Sequence, residues 1–422
     1  MKTVSQMLSV AEARTRMLGH FNPLALETIS ITQAAGRVLA EDVTATQNLP
    51  PFNNSSMDGY AVRLRDVTGA TPERPAALPV SGDIPAGSGM PPVLTEGTAM
   101  RIMTGAPVPE GAEAVVPVED TDDQRDNSSG PPPLIRIFKS ATPGANIRPI
   151  GQDVQAGEVV LRAGKWLSPA AVGVLAALGR GRVNVYRQPV VALFATGDEL
   201  RAVDETPGPG QIRDTNSYSL AAAVEQCGGR ALRLGIARDH LEDVRAKLNA
   251  ACEANADLIL SSAGVSVGAY DVVKAAVETE GGLDFWRVRM RPGKPVAFGH
   301  VRGVPFMGLP GNPVSALVTF EVFVRPILLK LAGHSHWDRP DIKVTLTESL
   351  RSDGRESYLR VVITREGDGY KARMTGDQGS AVLTSLVKAN GLMIVPEGVT
   401  EAKAGDTFSA WLLDASRLEG ES

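Results

Sequence analysis

Three loops of small residues, each following a short apolar run, hold the residues of this 422-residue chain best suited to chemistry. Residues 190–194 (VVALF) lead into Ala195, Thr196, Gly197, Asp198 and Glu199. Residues 257–260 (DLIL) lead into the stretch from Ser261 to Gly268, with Asp271 just beyond. Residues 304–309 (VPFMGL) lead into Pro310, Gly311, Asn312 and Pro313, which open a helix. Apolar runs this short, alternating with helical stretches, read as strands of a parallel sheet buried on both faces. Such sheets bind ligands beyond the carboxyl ends of their strands. One crevice would therefore gather backbone amides, hydroxyls and at least two carboxylates, as a phosphate-bearing ligand and a metal require.

Each loop also has a plainer explanation. Asn312 stands at an N-cap and Pro313 at the first helical position, so free amides and the helix dipole could hold an anion. Gly311, Asn312 and Pro313 could merely make a tight helix start. Gly264 and Gly268 let the backbone approach a ligand, and Ser262 and Ser266 add hydroxyls; an ordinary strand-to-helix turn is the alternative. Glu199 and Asp271 would repel phosphates unless a hard cation bridged them, and Mg²⁺ suits that task. Asp198 and Glu199 could instead be solvated loop charges. In residues 285–295, Trp286, Val288 and Met290 alternate with Arg287, Arg289 and Arg291, giving a strand with one apolar and one basic face. Lys294 follows on a Pro-Gly turn. That pattern serves anion recognition or the solubility of an edge strand. Residues 50–62 and 101–119 are explained by turns and strand ends alone.

The elements that position these loops follow from patterning. At 422 residues the chain exceeds one hydrophobic core. An amphipathic helix is expected over 5–20 and another over 32–43, with Gly36 its weak point. A small β domain spans 49–137, with a loop over 120–133. Helix returns after Ser168 as cap, with Pro169 in its first turn and Gly179 at its end. Crossover helices are expected over 216–226, 241–253, 271–280 and 312–331, and strands again after 339. Four domains result: 1–48 with 138–187 (helical, linking), 49–137 (small β), 188–333 (α/β) and 340–415 (C-terminal β module). A net charge of −5 argues against a dedicated nucleic-acid binder. Cys227 and Cys252 both fall in helical patterns and read as reduced thiols. Residues 1–10 lack a signal peptide's apolar core and no stretch is long enough to span a bilayer, so a cytoplasmic protein without a membrane partner is expected.

Taken together, NSSMDGYAVR, RIMTGAPVPEGAEAVVPVE, ATGDEL, DTNS, SSAGVSVGAYD, PGKPVAFG and GLPGNPVSA resemble the molybdopterin molybdenumtransferase family, the MoeA-type enzymes that include the E domain of gephyrin. The resemblance implies a multidomain α/β plus β fold. A central doubly wound α/β molybdopterin-binding domain would be flanked by helical and small β domains and a C-terminal β-barrel-like module. It implies Mg²⁺-dependent insertion of molybdate, the co-substrate, into adenylylated molybdopterin, with release of AMP. It also implies a homodimer with a composite active site, and contacts with a molybdopterin adenylyltransferase and molybdoenzyme chaperones.

By motif, Asp58 and Thr104 would line the cleft from the partner subunit. Glu199, Asp239 and Asp271 would surround metal and nucleotide, with Glu199 and Asp271 as metal ligands. Ser262, Gly264, Ser266 and Gly268 would cradle phosphates, helped by Pro310, Gly311, Asn312 and Pro313. Asp214 and Ser217 would touch the nucleotide side. Arg287, Arg291, Lys294 and Pro295 match the segment that receives molybdate, with Arg360 and Ser380 as helpers from the C-terminal module. Asp153 matches a further acidic position. Molybdate is a tetrahedral dianion, for which arginine and lysine are suitable hosts. Asn53 and Ala263 depart from the family's usual aspartate and glycine, and Arg287 and Arg291 from its frequent lysines. A nucleotide-processing enzyme on the same α/β core and a scaffold without chemistry are the other readings. The flanking domains oppose the first, and Glu199, Asp271 and Lys294 the second.

Overall fold

The computed structural model describes residues 7–123, 130–262 and 269–418, without the side chains of 269–271 and 284–286. The chain divides into two compact units. The first comprises Met1–Ala40, Gly164–Ser168 and Arg182–Ser422; the second comprises Glu41–Ala163 and Pro169–Gly181.

The first unit opens with α1 (Val10–Leu18), started by a capping box in which the Ser9 hydroxyl accepts from the Glu12 amide and the Glu12 carboxylate accepts from the Ser9 amide. The second helix expected over 32–43 does not form. Gly36 adopts φ +81°, a left-handed turn that interrupts any helix. A single 3₁₀ turn at Ile31–Gln33 and isolated bridges at Val38 and Leu39 take its place.

Along the α/β block come β1 (Val190–Thr196), α2 (Asn216–Gln226), β2 (Arg230–Ala237), α3 (Leu241–Glu253), β3 (Leu258–Ser262), α4 (Ala269–Glu280), β4 (Gly281–Arg287), β5 (Pro295–Val301), β6 (Val304–Leu309) and α5 (Pro313–Thr319). A π-helical stretch, Phe320–Val324, leads on into α6 (Arg325–Leu331). The strands form one sheet in the order β2-β1-β3-β6-β5-β4. The three apolar runs are parallel, as expected, but β5 and β4 are antiparallel and make the sheet mixed. Every residue of β1 is buried. Val191 and Leu193 pack with α1, α2 and α5, whereas Ala192 and Phe194 pack with α3 and α4. This is the period-two alternation of a strand covered on both faces.

Residues 285–291 are not one strand. β4 stops at Arg287, and the chain crosses to pair Met290 and Arg291 with Glu356 and Ser357. Val288 and Met290 stay fully buried, so the apolar alternation survives the break. Arg289 makes an ion pair with Glu397 at 2.6 Å, which gives that charge a structural partner.

The C-terminal module contains β7 (Asp341–Leu346), β8 (Glu356–Glu366), β9 (Gly369–Met374), β10 (Gly391–Val395) and β11 (Thr407–Leu412). They run β8-β9-β7-β11-β10, and β10 pairs back onto β8 to close a five-stranded barrel. Val344, Leu346, Val361, Ile363 and Met393 are among its core residues.

The second unit holds a five-stranded sheet of Ala114–Pro117, Gly59–Val62, Ala99–Ile102, Ala76–Ile84 and Leu134–Ile137, in that order. Gly59 is required there, because a Cβ would lie 2.0 Å from the Val116 carbonyl oxygen. The helix Pro169–Ala177 ends before Gly179, as its sequence suggests. Residues 124–129 of the loop expected over 120–133 lie outside the described residues. Cys227 and Cys252 are both free thiols. Among the described residues no helix is long and apolar enough to cross a membrane.

Candidate active site

Parallel strands aim their carboxyl ends one way, and the loops after β1 and β6 meet there beside the end of β3. With the start of α2 they enclose a cleft of about 830 Å³. Glu199, Asp214, Asp239, Ser262 and Pro295 line it, as do Pro310, Gly311, Asn312 and Pro313 of the third loop.

One lip is acidic. Gly197 adopts φ +148°, and the Glu199 carboxylate folds back over it so closely that a Cβ there would lie 2.5 Å from Oε2. The Asp239 amide donates to Asp198 Oδ1 at 3.1 Å. Burial, reinforced by the charges of Asp198 and Glu199, holds the Asp239 carboxyl above its ordinary range. Among the described residues no three His, Cys, Asp or Glu side chains converge as a metal cage. Mg²⁺ needs none, since one or two carboxylates with phosphate oxygens and water suffice. Glu199 and Asp239 are the described carboxylates of this lip that line the cleft. Asp271 falls in the first turn of α4, and its side chain lies outside the described residues, as do Ala263, Gly264, Ser266 and Gly268.

The floor is buried and polar. Asp214, 4% exposed, accepts from the Ser217 amide at 3.1 Å and also from the Ser217 hydroxyl. Asn216 Nδ2 donates to Ser262 Oγ at 2.6 Å and to the Gly311 carbonyl at 2.7 Å, tying the end of β3 to the loop after β6. Asn216 and Thr196 line the cleft but were not singled out by sequence reasoning, although both lie inside quoted motifs. Neither carries a charge, and only the fold places them side by side with Asp214 and Ser262.

At the third loop, Asn312 occupies the N-cap and Pro313 the first turn, but the Asn312 side chain does not cap. It donates instead to Ser380 Oγ at 2.9 Å, while the Val314 amide donates to the Ser380 carbonyl at 3.1 Å. One amide expected to be free for an anion is therefore occupied by the C-terminal module. Ala381, next in the chain, lines the cleft.

The basic residues gather elsewhere. Arg291 and Arg360 line a separate cavity of about 70 Å³ with Ser352, Ser357 and Gln378. Arg360 is 1% exposed. Its Nε donates to Ser385 Oγ and a terminal nitrogen to the Gly379 carbonyl, both at 3.1 Å. Burial pushes its guanidinium down to about 10; Asp377 opposes that shift and Arg291 adds to it. Arg291 is exposed, 3.9 Å from Asp353. Lys294 is exposed between Gly293 and Pro295, which do line the cleft, and Arg287 is exposed at the end of β4. None of Arg287, Arg291, Lys294, Arg360 or Ser380 is itself part of the cleft's lining.

In the second unit, Asp58 Oδ1 accepts from the Thr104 amide at 2.7 Å and its hydroxyl at 2.8 Å. Asp58 borders a cavity of about 50 Å³ with Tyr60, Arg101 and Asp123. Asp153 is exposed. Asn53 Oδ1 accepts from the Ile150 amide at 2.7 Å, a bond that an aspartate could make equally well.

Comparison with known proteins covers nearly the whole chain. The family model for the MoeA N-terminal region (domain I and II) matches residues 8–179. That for a probable molybdopterin binding domain matches 192–330, and that for the MoeA C-terminal region (domain IV) matches 343–413. The chain is 44% identical over 391 residues to molybdopterin molybdenumtransferase 2 of Mycobacterium tuberculosis, covering 91% of this chain and 94% of that protein. It is 37% identical over 408 residues to the molybdopterin molybdenumtransferase of Haemophilus influenzae, covering 96% and 98%. Its fold is similar to the crystal structure of a molybdopterin biosynthesis protein, MoeA, from Pyrococcus horikoshii, with a TM-score of 0.78, 29% identity, and coverage of 96% and 100%.

Proposed function

The chain belongs to the molybdopterin molybdenumtransferase family, transferases of molybdenum cofactor biosynthesis, and on that premise we propose that it inserts molybdate into adenylylated molybdopterin with release of AMP. The observation that carries this reading is a cleft of about 830 Å³ with an acidic lip, in a chain that also buries an arginine, Arg360, with no ion-pair partner among the described residues. Atoms balance without any redox step. Two thiol sulfurs replace one molybdate oxygen, which leaves as water with the two thiol protons. Hydrolysis of the phosphoanhydride consumes one water.

The residues divide the work. Glu199 and Asp239, with Asp271, would hold Mg²⁺, which when bound neutralises charge on the phosphate oxygens. Asp214 and Ser217 form the buried floor on the nucleotide side. Arg360, with Arg291 and Lys294, supplies positive charge for the oxyanion. Asp58 and Thr104 lie exposed on the second unit near exposed Phe52 and Met57, which supports a homodimer in which this surface completes a partner's cleft.

The test is AMP release from adenylylated molybdopterin by the purified chain with Mg²⁺, with and without molybdate. Release that requires molybdate and yields metal-loaded cofactor is expected. AMP retained under both conditions would refute the reading.

A further inference from the structure

Thr196 closes β1 and is 1% exposed; its hydroxyl has no hydrogen-bond partner among the described residues, yet the residue lines the cleft. Asn216, 8% exposed in the first turn of α2, lines the same cleft. Its amide can point only one way. Nδ2 faces the Gly311 carbonyl, which accepts and never donates, so a reversed amide would set oxygen against oxygen. Oδ1 is thereby left without a donor among the described residues. Buried polar atoms are nearly always paired, and unpaired oxygens on two residues that line one cleft mark a place that a ligand completes.

The chemistry of that ligand group follows. Oδ1 can only accept. The Asp214 carboxylate, also in the lining, accepts as well. A phosphate or molybdate oxygen brings lone pairs of its own and would be repelled here. An N–H or O–H donor would be welcome. Leu200, Pro207 and Ile212 in the same lining offer apolar surface for a flat ring that carries such a donor.

We infer that Thr196 and Asn216 are specificity-determining residues that read a hydrogen-bond donor on the organic part of the substrate, a ribose hydroxyl or ring amine of the nucleotide or an N–H of the pterin. This rests on the function proposed above and adds which groups of the ligand the cleft floor selects. It also explains why an enzyme would keep a buried threonine hydroxyl that has no partner among the described residues.

The test is calorimetric titration of the full-length chain, with Mg²⁺, against AMP, 2′-deoxy-AMP, 3′-deoxy-AMP and purine riboside monophosphate, and separately against neopterin. Wild type is compared with Thr196→Val and Asn216→Ala. Thr196→Val decides, because it keeps the side chain's shape and removes no hydrogen bond from the protein, so its Tm should equal or exceed that of wild type. Asn216→Ala also cuts two internal bonds and should lower Tm. Wild type should bind one donor-deleted ligand about fivefold more weakly than its parent. Thr196→Val should bind the parent ligand more weakly by a similar factor and no longer distinguish the two. A loss confined to the AMP series assigns the donor to the nucleotide; a loss confined to neopterin assigns it to the pterin. Variants that bind and discriminate as wild type does would overturn the inference, since the two oxygens would then hold only water. Wild type that binds neither AMP nor neopterin would overturn the proposed function itself, and this inference with it.

Discussion

Arg101 in the second unit and Arg360 in the barrel are both buried, at 8% and 1% exposure, but they are neutralised differently. Arg101 forks onto Asp83, with Nε to Oδ1 at 2.9 Å and a terminal nitrogen to Oδ2 at 2.8 Å. That bond holds the Asp83 carboxyl below its ordinary range and the Arg101 guanidinium above its own. Among the described residues the Arg360 guanidinium donates to a neutral hydroxyl and a neutral carbonyl, and Asp377 acts on it without an ion pair. A buried cation without a counter-ion is costly, and folding alone gives no reason to keep one. The first arginine is committed to the fold. On the proposed function the second would keep its charge for an incoming anion, met in the small cavity it shares with Arg291.

Replacing each arginine should give opposite results. Arg360→Met should lower molybdate-dependent AMP release by roughly 100-fold or more, the usual effect of removing a preorganised oxyanion donor. Its thermal midpoint should change little, because the charge it removes had no ion-pair partner among the described residues. Turnover and thermal unfolding, measured on the same preparation, would show whether the two effects separate. Arg101→Met should do the reverse and cost about 1–2 kcal/mol in denaturant unfolding. That figure is below the cost of breaking a fully buried pair because the Asp83 side chain is 34% exposed and water screens it. Should Arg101→Met prove harmless while Arg360→Met unfolds the chain, the contrast is broken.

The smallest effect concerns pH. The folded-state value of Arg360, about 10, lies below its ordinary range, so the unfolded chain binds more protons as pH rises past about 10. Its contribution to stability therefore rises with pH across that window. Molybdate affinity should move the other way, weakening as pH rises toward about 10 and the cation is lost. Arg101 is shifted upward and should add no change there. Molybdate titrations across that range check the sign.

Much of the architecture could be read before any coordinates. The helices Asn216–Gln226 and Leu241–Glu253 match expectation because amphipathic periodicity is a local property and nothing nearby overrides it. The helix expected over 32–43 failed for an equally local reason: one glycine with positive φ outweighs a favourable pattern. The break after Arg287 was hidden, because a strand that crosses from sheet to barrel keeps its alternation of apolar and basic residues. Within the cleft, glycines, carboxylates and prolines stood out by type. Thr196 and Asn216 did not, since their role depends on what lacks a partner once the chain is folded. Nor could sequence foresee that Ser380 would occupy an amide at the start of α5.

That last contact sets unequal limits on how the protein can vary. The bond from Val314 runs to the main chain of Ser380, so any residue at 380 could supply it. The bond from Asn312 runs to the serine hydroxyl and depends on the side chain. Drift in composition around residue 380 would undo only half of this clasp. Inserting or deleting a single residue would shift both partners out of register. The segment joining barrel to cleft is therefore free in its letters and constrained in its length.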